Sequence, residues 1–219
     1  MPPVERFVCR FAAEPPQEAL PHGAWAQTLQ AEFLAACLRV DAEGQEIGEA
    51  RELRWFPDRA WNGRTYVPVT ARTTTDLELF GYVSFRPGDP DASGSEAEPS
   101  DFESTADFTD ETAERNPDWR IDLCEEVIGS WRGEGGRSAE MTLVWGVPLL
   151  SGARVATAEL AGLAVDQCTI ADDRFSLIAP DAYRSDYLDV KLWDADGREL
   201  ASESLYVEDD EEEEEDAEE

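Results

Sequence analysis

A single histidine, His22, stands in the proline-rich stretch LPHG, and the four cysteines Cys9, Cys37, Cys124 and Cys168 lie far apart without a C-x-x-C pair. Ser-His-Asp or Cys-His catalysis in its usual form would have to be built on that one imidazole. A solvent-exposed loop side chain is its simpler reading. Centres with several histidines are excluded, and cysteines so spaced suggest neither a zinc site nor a disulfide framework. No metal and no cofactor is expected. No G-x-x-x-x-G-K-[ST] is present to cradle phosphates, and RGEGGR (132–137) reads as a hairpin turn. Asp194-Ala-Asp196-Gly197 opens like a calcium loop, but the third acid spacing and the closing glutamate are missing, which leaves a turn. Carboxylates remain. A pair of them suits general acid–base hydrolysis of a glycosidic bond, yet with fifty Asp and Glu no particular pair stands out.

Two stretches carry a more specific signal. Residues 100–111, SDFESTADFTDE, repeat Asp-Phe six residues apart among acids, Ser and Thr. Phe102 and Phe108 either pack back on their own protein or are offered to another. As anchors buried in a partner, each contributes roughly 1.5–3 kcal/mol. Asp101, Glu103, Asp107, Asp110 and Glu111 then serve as steering charges. The second stretch, RELRWFPDRAWNGRTYVPVTAR (51–72), interleaves arginines with aromatics. Arg51, Arg54, Arg59, Trp61 and Arg64 form a candidate patch for anionic contacts. The competing reading puts the aromatics in the core, with the arginines balancing nearby acids. A third has the patch hold the chain's own acidic segments until a partner displaces them.

The formal net charge is −32, and its placement matters more than its size. Residues 208–219 carry eleven acids and no base, and residues 89–118 eleven acids and one arginine, so −21 sits in two segments. Neither has the apolar pattern of a folding unit, and both read as interaction segments that stay extended and attract basic surfaces. That balance makes direct nucleic-acid binding unfavourable at long range. A nucleic-acid mimic would need carboxylates fixed on a rigid surface, whereas these fall on segments expected to be mobile. One lysine against seventeen arginines fits a GC-rich bacterial genome and carries no functional reading.

The opening MPPVERFVCRFAAEPP lacks the pattern of a signal peptide, and no apolar run reaches membrane-spanning length. A cytoplasmic protein with reduced thiols and no membrane contact is expected. Helical spacing of Trp25, Leu29, Phe33, Leu34 and Cys37 predicts a helix near 24–36. CLRVDAEGQEIGEARELRW suggests a hairpin turning at DAEG. β-Formers predict strands at 66–73 and 77–85, the first an edge strand because Pro68 cannot donate, and further strands follow between 141 and 207. Residues 119–131 suit a strand or a short helix.

The fold expected is mainly antiparallel β and sandwich-like, with α+β as the alternative. The organisation expected is a β-rich unit with a helix over 1–88, an acidic linker or long loop over 89–118, a second β-rich unit over 119–207 and an acidic tail over 208–219. The function that fits is a non-enzymatic interaction protein, of inhibitor, immunity or adaptor type, binding a basic protein partner through its acidic segments. The alternative is an enzyme or carbohydrate-type binding module using carboxylates and the seven tryptophans in a cleft between the halves.

Overall fold

In the computed structural model, residues 24–42, 44–88, 98–132, 138–181 and 187–205 are described. His22, Cys9, the 6–12 run and the 208–219 tail lie outside them. The chain is mainly antiparallel β with one helix, α1 (Ala24–Cys37), among the described residues. The twelve strands are β1 (Ala50–Trp55), β2 (Arg59–Trp61), β3 (Arg64–Thr73), β4 (Glu78–Arg86), β5 (Ser100–Thr109), β6 (Ile121–Arg132), β7 (Ser138–Pro148), β8 (Val155–Leu160), β9 (Leu163–Thr169), β10 (Phe175–Asp181), β11 (Leu188–Trp193) and β12 (Glu199–Ser204). No helix among the described residues is long and apolar enough to cross a membrane.

The strands form three sheets. Sheet A runs β1-β3-β4-β5 with β2 also on β3; sheet B runs β10-β7-β6; sheet C runs β12-β11-β8-β9. Strand alternation sends successive side chains to opposite faces, and here each inward face meets another layer. Leu29, Phe33 and Ala36, one stripe of α1, bury against Val67, Val69, Ala71, Leu79 and Val83 of sheet A. The other face of sheet A puts Tyr66 with Phe56 onto Met141, Leu143, Trp145 and Ile178 of sheet B. Sheet B's opposite face, through Val144, Phe175, Leu177 and Ala179, meets Ala156, Ala158, Leu188, Val190 and Leu192 of sheet C. β7 is covered on both sides, which is why Met141–Gly146 is buried throughout rather than alternating.

Three local expectations are corrected. β3 is not an edge strand: it lies between β1 and β4, with Pro68 opposite Tyr82. Pro68 is tolerated because its donor-less nitrogen faces the gap between β1 and β2. β1 ends at Trp55 opposite Val69, β2 begins at Arg59 opposite Tyr66, and the Pro68 carbonyl accepts from Phe56 N–H on that same side. No hairpin turns at DAEG: α1 continues to Cys37, the backbone then unwinds through Leu38–Val40, and strand structure resumes only at Ala50. Part of the acidic 89–118 segment is no linker. Residues 100–109 form β5, the strand beyond β4 in sheet A, paired from Glu78–Thr109 to Arg86–Ser100. The alternating Phe102, Ser104, Ala106 and Phe108 face α1, a two-residue period that the surrounding acids mask. Residues 119–131, read as strand or helix, fall largely in β6, and DADG turns between β11 and β12 with the Asp194 carboxylate accepting the Asp196 and Arg198 N–H groups.

Candidate functional site

β5 positions the acid-flanked phenylalanines, and it turns both inward. Phe102 and Phe108 are half-buried against the α1 cluster, and the Phe102 ring lies 5.6 Å from that of Phe85. Arg39, just past the end of α1, reaches the Ser104 carbonyl at 3.4 Å. Of the two choices posed for these aromatics, packing on their own body is the one realised, which corrects the picture of free anchors in a flexible chain.

The acids around them divide. A bulge puts Asp101 at φ 56° and aims its carboxylate at two arginines, with Arg64 Nη1 at 2.7 Å and Arg86 Nε at 3.0 Å. Those hydrogen bonds, Arg86 first and then Arg64, hold the Asp101 carboxyl below its usual range. Glu103 shares Arg64 at 3.3 Å, and Asp110 pairs with Arg115 at 3.2 Å. Asp107 accepts only the N–H of its neighbour Phe108, and Glu111 has no ion pair among the described residues. β6 adds two acids without an ion pair among the described residues. Glu126 has its carboxyl raised by partial desolvation and then by Asp107; Glu125 is pushed up to about 7 by desolvation, then by Asp181 and Glu126. Val127, between Glu126 and Ile128, is 50% exposed. Asp107, Glu125, Glu126 and Val127 therefore sit on strands at the borders of two sheets, and sequence reasoning missed the β6 members.

Crowding of carboxylates has a measurable sign. Glu125 binds its proton more tightly in the folded chain (about 7) than at the ordinary value of 4.5, so stability falls as pH rises through that window. Glu126 acts in the same direction. Thermal midpoints measured from pH 4.5 to 7 are expected to decline, and Glu125→Gln to flatten the slope. An unchanged slope in that variant would show that the carboxyl is not perturbed.

The arginine patch does not form. Arg59 is fully buried with Nη2 at 2.5 Å from Asp166 Oδ2, and Arg64 is turned to Asp101. Trp61 is half-buried on the inter-sheet cluster, close enough to Gly129 that a Cβ there would lie 2.7 Å from its ring. Arg51 and Arg54 stay exposed, and they line a cleft instead.

That cleft, of about 870 Å³, opens at one end of the interface between sheets A and B. Arg54, Thr70, Arg72 and Glu78 line it from sheet A, and Asp122 and Val147 from sheet B. Arg72 is tied to Glu114 and, at 4.0 Å, to Glu78; Arg174 pairs with Asp172 and donates to the Trp55 carbonyl at 2.9 Å. Burial raises the Glu78 carboxyl, Asp122 adding to the shift and Arg72 and Arg54 opposing it. Burial also raises Asp122, with Arg54 and Arg72 opposing. Glu78 and Asp122 lie 44 residues apart in sequence, and no spacing singles them out among so many acids. Carboxylates from both sheets line this cleft, and no tryptophan does. Trp145 is fully buried, and Trp55, Trp61, Trp119, Trp131 and Trp193 are half-buried.

The three thiols among the described residues are all held protonated by burial. Burial pushes Cys37 and Cys168 each up to about 11, and Cys124 well above its usual range. No protein-family model, no curated protein and no solved structure matches the chain.

Proposed function

We propose that the protein is a non-enzymatic interaction protein, of inhibitor, immunity or adaptor type, that receives a basic protein partner on the acidic borders of β5 and β6. The observation that carries this reading is the crowding of Glu125 and Glu126, raised by burial and then by neighbouring carboxylates, Asp107 beside Glu126 among them, with no ion pair among the described residues. A lysine or arginine from a partner supplies the missing counter-charge. The strands hold these acids at fixed spacing, so a rigid, nucleic-acid-like display is now a form of the same reading rather than an obstacle to it. Each exposed pair contributes only about 0.2–1 kcal/mol, so charge sets association rate and register more than affinity. Val127, exposed next to Glu126 on β6, is an apolar contact available where the phenylalanines are not.

The test uses a lysine- and arginine-rich peptide as probe. Binding is expected to weaken steeply with salt and to strengthen as pH rises toward 7, because a bound cation expels the proton from Glu125. Asp107→Asn combined with Glu125→Gln and Glu126→Gln is expected to remove most of it. A variant that binds as before but self-associates would sink the proposal. It would show instead that these charges guard strand borders against pairing with other chains.

A further inference from the structure

The cleft between sheets A and B holds two opposite charges, one on each wall, that no hydrogen bond or ion pair satisfies among the described residues. Several of its other ionic groups are matched internally, Arg72 with Glu78 and Glu114 and Arg174 with Asp172, while Arg51, Glu52 and Asp173 line it without an ion pair among the described residues. Arg54 and Asp122 are different. Both line the main cleft and also the small recess behind it that reaches Phe56 and Cys124. Among the described residues neither side chain makes a hydrogen bond or ion pair, although each lies in the other's field. A direct pair would be the cheapest way to neutralise both. The fold holds one on β1 and the other on β6, on opposing walls, and leaves space between them.

We propose that this cleft binds a small dipolar ligand, a free amino acid or a short peptide, with its cationic group on Asp122 and its carboxylate on Arg54. The charges select this class over simpler ions. A lone anion at Arg54 would face Asp122 and Glu78; a lone cation at Asp122 would face Arg54 and Arg72. Only a ligand carrying both signs gains at both walls. Thr70, opposite Arg54 on β3, also lines the cleft, and Leu53, Ala71, Val147 and Leu149 give apolar surface for a side chain. Partial burial of Asp122 strengthens its contact with a ligand cation beyond what an exposed carboxylate would give. The cleft's volume of about 870 Å³ accommodates several residues of extended peptide, so size does not restrict the ligand to a single amino acid. This inference is independent of the basic-partner reading, since it uses a different face and different residues.

Ligand-observed NMR on the full chain, with free amino acids and dipeptides at millimolar concentration, tests it. At least one of these is expected to bind saturably. Asp122→Asn and Arg54→Gln are each expected to weaken it about tenfold. Both substitutions act on groups facing the cleft and leave the packed clusters intact, and a retained thermal midpoint checks that the fold survives. If L-arginine is the probe that binds, agmatine, which keeps the guanidinium and lacks the carboxylate, is expected to bind about tenfold more weakly. Absence of saturable binding by any amino acid or dipeptide overturns the proposal. So does binding that both variants retain, or agmatine binding as well as L-arginine. Loss of peptide-probe binding at the β5 and β6 borders leaves this result untouched, so the two proposals fail separately.

Discussion

Replacing Asp166 with alanine is expected to lower stability by about 3–5 kcal/mol, as for other buried charges robbed of their partner. Arg59 and Asp166 sit with side chains 0% and 3% exposed, joining β2 of sheet A to β9 of sheet C past β10. Among the described residues Arg59 Nε and Nη1 have no hydrogen-bond partner, so the substitution leaves a guanidinium buried without compensation. It also removes the acceptor for Ile178 N–H at 2.9 Å and Gln167 N–H at 2.8 Å. Burial outweighs the Arg59 field at Asp166 itself, whose carboxyl is raised, so the pair is held by the fold rather than holding it. Arg59→Met added to Asp166→Ala is therefore expected to recover part of the loss, because the uncompensated charge goes too. Urea unfolding of the two variants measures this. A single-variant loss below about 1 kcal/mol would mean that the ion pair is not buried as described.

The second large effect is at Trp145. It is fully buried at the centre of the cluster where Phe56 and Tyr66 meet Met141, Leu143 and Ile178, the surface that joins the N-terminal and C-terminal halves. Trp145→Ala is expected to cost about 3–5 kcal/mol, the usual range for emptying a large aromatic site. Its Nε1 has no hydrogen-bond partner among the described residues, so Trp145→Phe forfeits volume but no bond and should cost far less. Equal losses in the two variants, read from chemical denaturation, would show that a polar contact rather than packing anchors the indole.

Much of the fold is legible in the residues, and the exceptions have physical causes. α1 announces itself through Leu29, Phe33 and Cys37, and β10 and β11 through short β-branched and aromatic runs that match observed strands. β5 is hidden because its outward positions are acids, and composition outweighs a two-residue period in which only Phe102, Ser104, Ala106 and Phe108 face inward. Pro68 misleads because its cost depends on which neighbour lies on its nitrogen side, a matter of pairing that no local rule contains. At the site, the identity of Arg51 and Arg54 as solvent-facing arginines and of Arg59 and Arg64 as buried ones turns on where Asp166 and Asp101 arrive. The cleft carboxylates are illegible for a simpler reason: Glu78 and Asp122 become neighbours only when sheet B packs on sheet A.

The order in which the layers take their strands has a consequence for synthesis. Sheet A is complete by Thr109, whereas sheets B and C are interleaved: β6 and β7 precede β8 and β9, then β10 returns to B before β11 and β12 finish C. A nascent chain emerging from the ribosome thus presents a finished first sheet whose Tyr66 and neighbouring aromatic surface stay wet until β7 arrives, and β7 in turn waits for β10 and β8. Vectorial production exposes a sticky half-molecule for the time needed to make some seventy further residues, from Thr109 to Asp181. The acids of β5 are already made when that interval opens and those of the stretch leading to β6 follow at once, a run of like charge that disfavours association between neighbouring nascent chains.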